Sequence, residues 1–369
     1  MMAGRAGDAL EHYSADYAEA RGKFLAACRA ASVPVTSYEN PAAGPDGGKL
    51  VADAAWIGPT DAARVLVACS GTHGVEGFFG SACQVGWLSE GRHRDLPPGL
   101  AVLMIHAINP YGFAWLRRVD EGNVDINRNF IDHSAPPANP AYAEVADILL
   151  PADWTPDSVA AMEARLEAYA ERVGDRAFRA AVVGGQHSHP DGLFYGGGAP
   201  CWSNRTLGRI VADRLARARH VAVLDFHTGL GPYARAELIC RHPPGGPGLA
   251  RARAWYGAAV TSPVSGESDS PPIEGNLRMA FVDLLPAAEV TSIAIEMGTL
   301  PADQVLRALI ADNWLHLRGD PASPEGREIK ARLREAFFPD RPDWNRPAYD
   351  RALEVMDQAL AGLAAEGGG

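Results

Sequence analysis

The sequence has no excess of basic charge: 34 Lys and Arg stand against 45 Asp and Glu, for a net charge of −11. With no basic stripe to offset that balance, the composition argues against a nucleic-acid partner. The five cysteines are Cys28, Cys69, Cys83, Cys201 and Cys240. They are odd in number, scattered and free of any C-x-x-C pair, so they point to neither a disulfide framework nor a cysteine zinc site. Free thiols in a reducing compartment fit that usage. No apolar run reaches the roughly 18 residues of a membrane span. The opening residues, MMAGRAGDALEHYSADY, lack a cationic stretch followed by an apolar one. The expectation is a cytoplasmic protein with no membrane partner.

What is present is the composition of a globular chain, 47% hydrophobic and 21% charged over 369 residues. That length suits one large α/β domain or two ordinary ones. Residues 8–31 carry apolar side chains at helical spacing and stop before Val33-Pro34. Short β-branched runs follow. KLVADAAWIG (49–58), RVLVACSG (64–71), LAVLMIHAIN (100–109), VAVLDFHTG (221–229), AELICRH (236–242) and SIAIEMGT (292–299) read as strands. Four are almost continuously apolar, the pattern of strands buried on both faces. Helical patterns lie between them, at about 75–90, 140–150, 157–182, 204–218, 248–260, 274–285 and 302–318. Two more fall in 323–365, joined by the Pro-rich FFPDRPDWNRP, and the closing Ala/Gly-rich residues predict a frayed end.

The alternation predicts a single α/β domain with a mostly parallel, mixed central sheet covered by helices on both faces. Residues 1–48 read as an N-terminal helix and lead-in. Residues 49–320 read as the main, sheet-bearing unit, and 321–369 as a helical extension packed on it. Two stretches, 109–140 and 184–204, break the pattern with Gly, Pro, aromatic and polar residues, and long irregular segments of this kind usually serve function.

In an open α/β sheet, ligands collect beyond the carboxyl ends of the strands. Four chemically capable residues stand there. RVLVACSG runs into His73 and Glu76, VAVLDF ends on His227, and SIAIEM brackets Glu296. Two histidines and one glutamate form the ligand set of a catalytic zinc site with one position left open. Glu296 interrupts an apolar strand, where an unpaired carboxylate is costly; it reads either as a structural ion pair with an arginine or as the general base for an activated water. Arg117, Arg118 and Arg128 lie in the loop after Asn109. Arg128 sits with Asn127 in the phrase VDINRNF, and an arginine beside an amide is suited to gripping a carboxylate.

Taken in order, HGVEG (73–77), NPYG (109–112), DINR (125–128), FYGGGAPCWSN (194–204), LDFHTG (224–229) and EMGT (296–299) resemble the motifs of the zinc metallocarboxypeptidases, or funnelins, over about residues 50–320. DFHTGLG and NRNF are similar to a bacterial carboxypeptidase-like branch. The resemblance implies one Zn²⁺ per subunit held by His73, Glu76 and His227, with Glu296 as general base. It further implies Arg118, nine residues before Asn127, as oxyanion stabiliser, and Asn127 with Arg128 as the grip on a terminal carboxylate. The substrate would be a small peptide. An N-acyl amino acid, as in aspartoacylase-like deacylases on the same scaffold, is the alternative. Three features depart from the family pattern. Tyr111 replaces the aspartate of the turn. Tyr233 and Tyr256 are present between His227 and Glu296, but neither has the motif context of the family's mobile active-site tyrosine. The residue that sets side-chain specificity cannot be located in the Gly/Pro-rich stretch 243–275. The motifs set no oligomeric state.

Overall fold

The computed structural model describes residues 9–268 and 270–366. Asp8 of the expected first helix and residues 367–369 of the expected frayed end lie outside them. Eight strands form one sheet. They are β1 Val35–Ala43, β2 Lys49–Ile57, β3 Arg64–Cys69, β4 Leu100–His106, β5 His220–Thr228, β6 Ala236–Ile239, β7 Val260–Thr261 and β8 Glu289–Met297, in the spatial order β1-β2-β4-β3-β5-β8-β6-β7. The centre, β4-β3-β5-β8, is parallel throughout. The pairs β1-β2, β2-β4 and β6-β8 are antiparallel. The four central strands are buried along almost their full length. That is why their sequences are apolar runs rather than alternations.

Helices cover both faces. Helices Tyr17–Ala30, Gly77–Ser89, Pro247–Tyr256 and Pro342–Ala365 pack on one face. Trp202–Arg214 and Leu277–Leu284 pack on the other. A third apolar cluster joins Tyr142–Leu149, Pro156–Val173, Asp175–Val183, Ala302–Arg318 and Pro324–Phe337 to Val75, just beyond the end of β3. The third group therefore stands over the carboxyl edge of the sheet.

All six expected strands are present, and two further strands are not evident in the sequence. β1 contains Pro41, which cannot donate to a ladder, and its register shifts between Asn40 and Ala43; it is tolerated because β1 is the sheet edge. β7 is only two residues long. The helix expected over 157–182 is two helices, divided at Gly174 (φ +82°). All five cysteines are free. Among the described residues no helix is long and apolar enough to cross a membrane.

Candidate metal centre

β3 ends at Cys69, and the chain turns into a short 3-10 helix, Gly74–Glu76, with His73 extended at its cap. The turn is pressed against the Asn109–Gly112 turn. A Cβ on Gly74 would lie 1.9 Å from the carbonyl carbon of Gly112, so only glycine lets the two backbones meet. Gly74 and Val75 donate backbone hydrogen bonds to the carbonyls of Arg118 and Arg117 at 3.2 and 2.9 Å. Asn109 closes the second turn by accepting from Gly112 N at 2.9 Å. These contacts fix His73 and Glu76 relative to the loop that carries the arginines.

His227 comes from β5, one strand over, and the parallel register places it directly beside Glu296 on β8. One ligand atom from each of His73, Glu76 and His227 lies within 4.8 Å of the others, and all three side chains are buried. Glu76 faces both rings: Oε1 is 2.8 Å from His73 Nδ1, and Oε2 is 2.8 Å from His227 Nδ1. On its far side each ring meets a second carboxylate, His73 Nε2 at 3.2 Å from Asp125 Oδ1 and His227 Nε2 at 2.6 Å from Asp225 Oδ2. A carboxylate at Nε2 holds the proton there and turns the Nδ1 lone pair inward, the support that metal-binding imidazoles usually have.

The electrostatics agree. Burial opposes the Glu76 charge, yet the two imidazoles pull its carboxyl well below the ordinary range. His227 is raised to about 10: burial lowers it, and Asp225 and then Glu76 outweigh the burial. A proton on His227 satisfies the Glu76 carboxylate, and a bound cation would take that proton's place. Two imidazole nitrogens and one carboxylate oxygen suit a borderline divalent ion such as zinc, so the residues present fit the metal.

The remaining expected site residues line the same cavity of about 680 Å³. Glu296 is only 8% exposed. Its Oε1 accepts from Leu230 N at 3.1 Å. Burial first, then the charge of Glu76, raises its pKa to about 7. Among the described residues no arginine pairs with it, which removes the ion-pair reading of this position. Arg118 donates from Nε to Asp125 at 3.0 Å and from Nη1 to Glu76 at 3.3 Å. Asn127 accepts from Leu277 N at 2.9 Å, and its Nδ2 lies 3.4 Å from His227 Nε2. Arg128 donates to the carbonyls of Val183 and Asn127 at 2.6 and 3.1 Å, and it lies 3.8 Å from Asp125. Asp132, a further carboxylate of this loop, accepts from Ser134. Backbone packs tightly around Arg128: a Cβ on Gly275 (φ +74°) would lie 2.7 Å from its carbonyl.

The structure adds residues that the motifs did not single out. Asp125 and Asp225 hold the two imidazoles, and each lies in a quoted motif, DINR and LDFHTG. Phe194, at φ +54°, places its ring 5.2 Å from Arg118 Cζ and 5.6 Å from Arg128 Cζ. A bulky residue in that region carries strain that the surroundings must hold. Arg241 and Arg278 line the cavity as well, from segments with no motif to mark them. Neither tyrosine between His227 and Glu296 reaches the cavity. Tyr256 is in the core, and Tyr233 lies outside, where its hydroxyl is 3.4 Å from Asp343. Among the described residues no tyrosine lines the cavity.

Comparison with curated proteins gives no match. Among solved structures, bovine thrombin-activatable fibrinolysis inhibitor, in complex with tick carboxypeptidase inhibitor, is similar at 12% identity and a TM-score of 0.51, over 97% of this chain and 99% of that one. A further structure of thrombin-activatable fibrinolysis inhibitor gives 12% identity and a TM-score of 0.53, over 98% and 77%. Carboxypeptidase A from Helicoverpa armigera gives 14% identity and a TM-score of 0.44, over 87% and 73%. At such identities the likeness is one of fold, and the fold is zinc carboxypeptidase-like. In sequence, the matching family model spans residues 13–351, and the chain belongs to that family, DUF2817, described as a protein of unknown function.

Proposed function

We propose that this chain is a zinc-dependent hydrolase that cleaves an amide bond next to a substrate carboxylate. One observation carries the reading: the converging donors of His73, Glu76 and His227 lie in the same cavity as Glu296, Arg118 and Arg128. His73, Glu76 and His227 would hold the metal. When bound there, zinc supplies a Lewis acid that polarises a carbonyl and acidifies water.

The chain's own residues do the rest. Glu296, with its pKa raised toward neutrality, takes a proton from the attacking water and passes it to the leaving nitrogen as the C–N bond breaks. Arg118 steadies the charge that develops on the carbonyl oxygen. Asn127 and Arg128 hold the carboxylate beside the scissile bond. A short peptide and an N-acyl amino acid both present such a carboxylate.

The test has two arms. Emission spectrometry of the purified protein should find about one zinc per chain. A panel of dipeptides, N-acyl amino acids and their carboxamides should show hydrolysis of the free acids over the amides. Negligible metal would end the zinc reading. Equal rates on acids and amides would end the carboxylate grip.

A further inference from the structure

The lining of the cavity balances six arginines against six carboxylates, yet three of the arginines are gathered on one wall. Arg128, Arg241 and Arg278 all line it, together with Ser270, Pro271, Ile239 and Glu296. Arg241 is 8% exposed and Arg278 is 4% exposed. Their visible partners are mostly neutral. Arg241 donates to Pro271 O at 3.1 Å and to Ser270 Oγ at 2.7 Å. Arg278 donates to Ile239 O at 2.7 Å. Among the described residues the Nε atoms of Arg128, Arg241 and Arg278 are all buried without a hydrogen-bond partner.

Among the described residues close counter-charge to Arg241 and Arg278 is sparse, although Glu163, Glu167, Asp175 and Asp303 line other parts of the cavity. Asp225 Oδ2 lies 3.9 Å from Arg278 Nε, beyond hydrogen-bond range, and already meets His227 at 2.6 Å. Among the described residues Arg241 has no carboxylate at ion-pair distance. Burial, then the charges of Arg278 and Arg128, push its pKa down to about 8, although Glu296 and Glu237 pull the other way. A buried guanidinium with an unmet donor is costly unless an anion completes it.

We propose that Arg241 and Arg278 form a second anion subsite, so that the substrate residue whose α-carboxylate meets Asn127 and Arg128 also carries an acidic side chain. The leaving product is then an amino dicarboxylic acid, a C-terminal glutamate or aspartate. The assignment rests on the hydrolase reading above and adds its substrate class. Position supports it. β6 and β8 pair antiparallel, with Glu237 opposite Glu296. Arg241 follows the end of β6, and Arg278 lies on the helix after the 270–276 loop. Both cations therefore sit on the wall beside Glu296, the side of the cavity that also carries Arg128.

The experiment compares benzoylglycyl-glutamate with benzoylglycyl-glutamine on the zinc-loaded full chain, and follows glutarate and glutaramate binding by calorimetry. The acid should exceed the amide in kcat/KM by about tenfold or more, as expected for charge-assisted bonds. Arg241→Met should collapse that ratio mainly through KM of the acid, and Arg241→Lys should restore part of it. Arg278→Met gives a second, independent variant, with near-ultraviolet circular dichroism confirming the fold of each. Hydrolysis of both peptides at equal kcat/KM would overturn the second subsite and leave the hydrolase reading intact. Tighter binding of glutarate than glutaramate, lost in Arg241→Met, without hydrolysis of any peptide or of any N-acyl amino acid in the panel above, would support the subsite and overturn the hydrolase reading. Equal binding of the two without hydrolysis would overturn both.

Discussion

Replacing Asp225 by asparagine removes one charge and almost no volume, and the structure allows its effect on the metal site to be worked out. Asp225 is fully buried. Its Oδ2 faces His227 Nε2 at 2.6 Å, and its Oδ1 accepts from Thr72 Oγ1 at 2.7 Å. An asparagine can keep its oxygen toward His227 only by turning its NH₂ toward Thr72, whose hydroxyl can accept it. The imidazole therefore keeps a hydrogen bond but loses its charged partner. A charge-assisted bond contributes about 1.5–3 kcal/mol and a neutral one about 0.5–1.5 kcal/mol. The difference, about 1–1.5 kcal/mol, corresponds to roughly tenfold in zinc affinity. Asp225→Ala leaves Nε2–H and the Thr72 hydroxyl without their acceptor and should cost nearer 100-fold, the upper range for the outer partners of metal ligands. Competition with a chromophoric chelator at fixed pH measures both constants. If both variants fold and bind zinc as tightly as the parent, His227 is not a ligand that Asp225 orients, and the proposed centre is wrong.

Glu296→Gln should retain fold and zinc, because the change is nearly isosteric, while turnover falls by about 100-fold or more; stopped assays beside metal analysis check it, and a loss of less than tenfold would place proton transfer elsewhere. Arg128→Ala should erase the preference for a free acid over its carboxamide, whereas Arg118→Ala should depress both substrates alike; a preserved acid-to-amide ratio in folded Arg128→Ala would remove Arg128 from the carboxylate grip. Gly74→Ala should lower stability by about 3 kcal/mol or prevent folding, since the new methyl meets backbone rather than a movable side chain; an unchanged melting temperature would mean the two turns part easily.

Much of the site was legible because chemistry and position coincide in the sequence. His73, His227 and Glu296 each follow or occupy an apolar strand, so the strand reading carried them to one sheet edge. The 3-10 turn then brought Glu76 in, a step that H-x-x-E spacing anticipates. Arg241 and Arg278 were not legible as a pair. They lie 37 positions apart, and only the β6-β8 pairing and the return through residues 270–276 unite them. β1 was hidden by Pro41, which reads locally as a breaker and is harmless only because the strand has a free edge. Asp225 and Asp125 stood inside quoted motifs, yet nothing local distinguishes a carboxylate that orients an imidazole from one that caps a turn. Asp125 does both, since it also accepts from Asn127 N at 2.9 Å.

The nine-rung ladder between β5 and β8, from His220–Glu289 to Thr228–Met297, divides the molecule's evolutionary freedom unequally. Its last rungs carry His227 and Glu296, so their separation is set by the spacing of neighbouring strands, about 4.8 Å, and not by any loop. Arg241, Ser270 and Arg278 belong to segments outside that ladder. The loop residues 270–274 can accordingly be exchanged or re-charged while the proposed reacting groups keep their places, whereas the Pro247–Tyr256 helix is tied into the core and Gly275 is pressed against Arg128. On the proposed function, a descendant of this chain could change what it recognises without relearning how to react, and divergence among its relatives is expected to concentrate in that span.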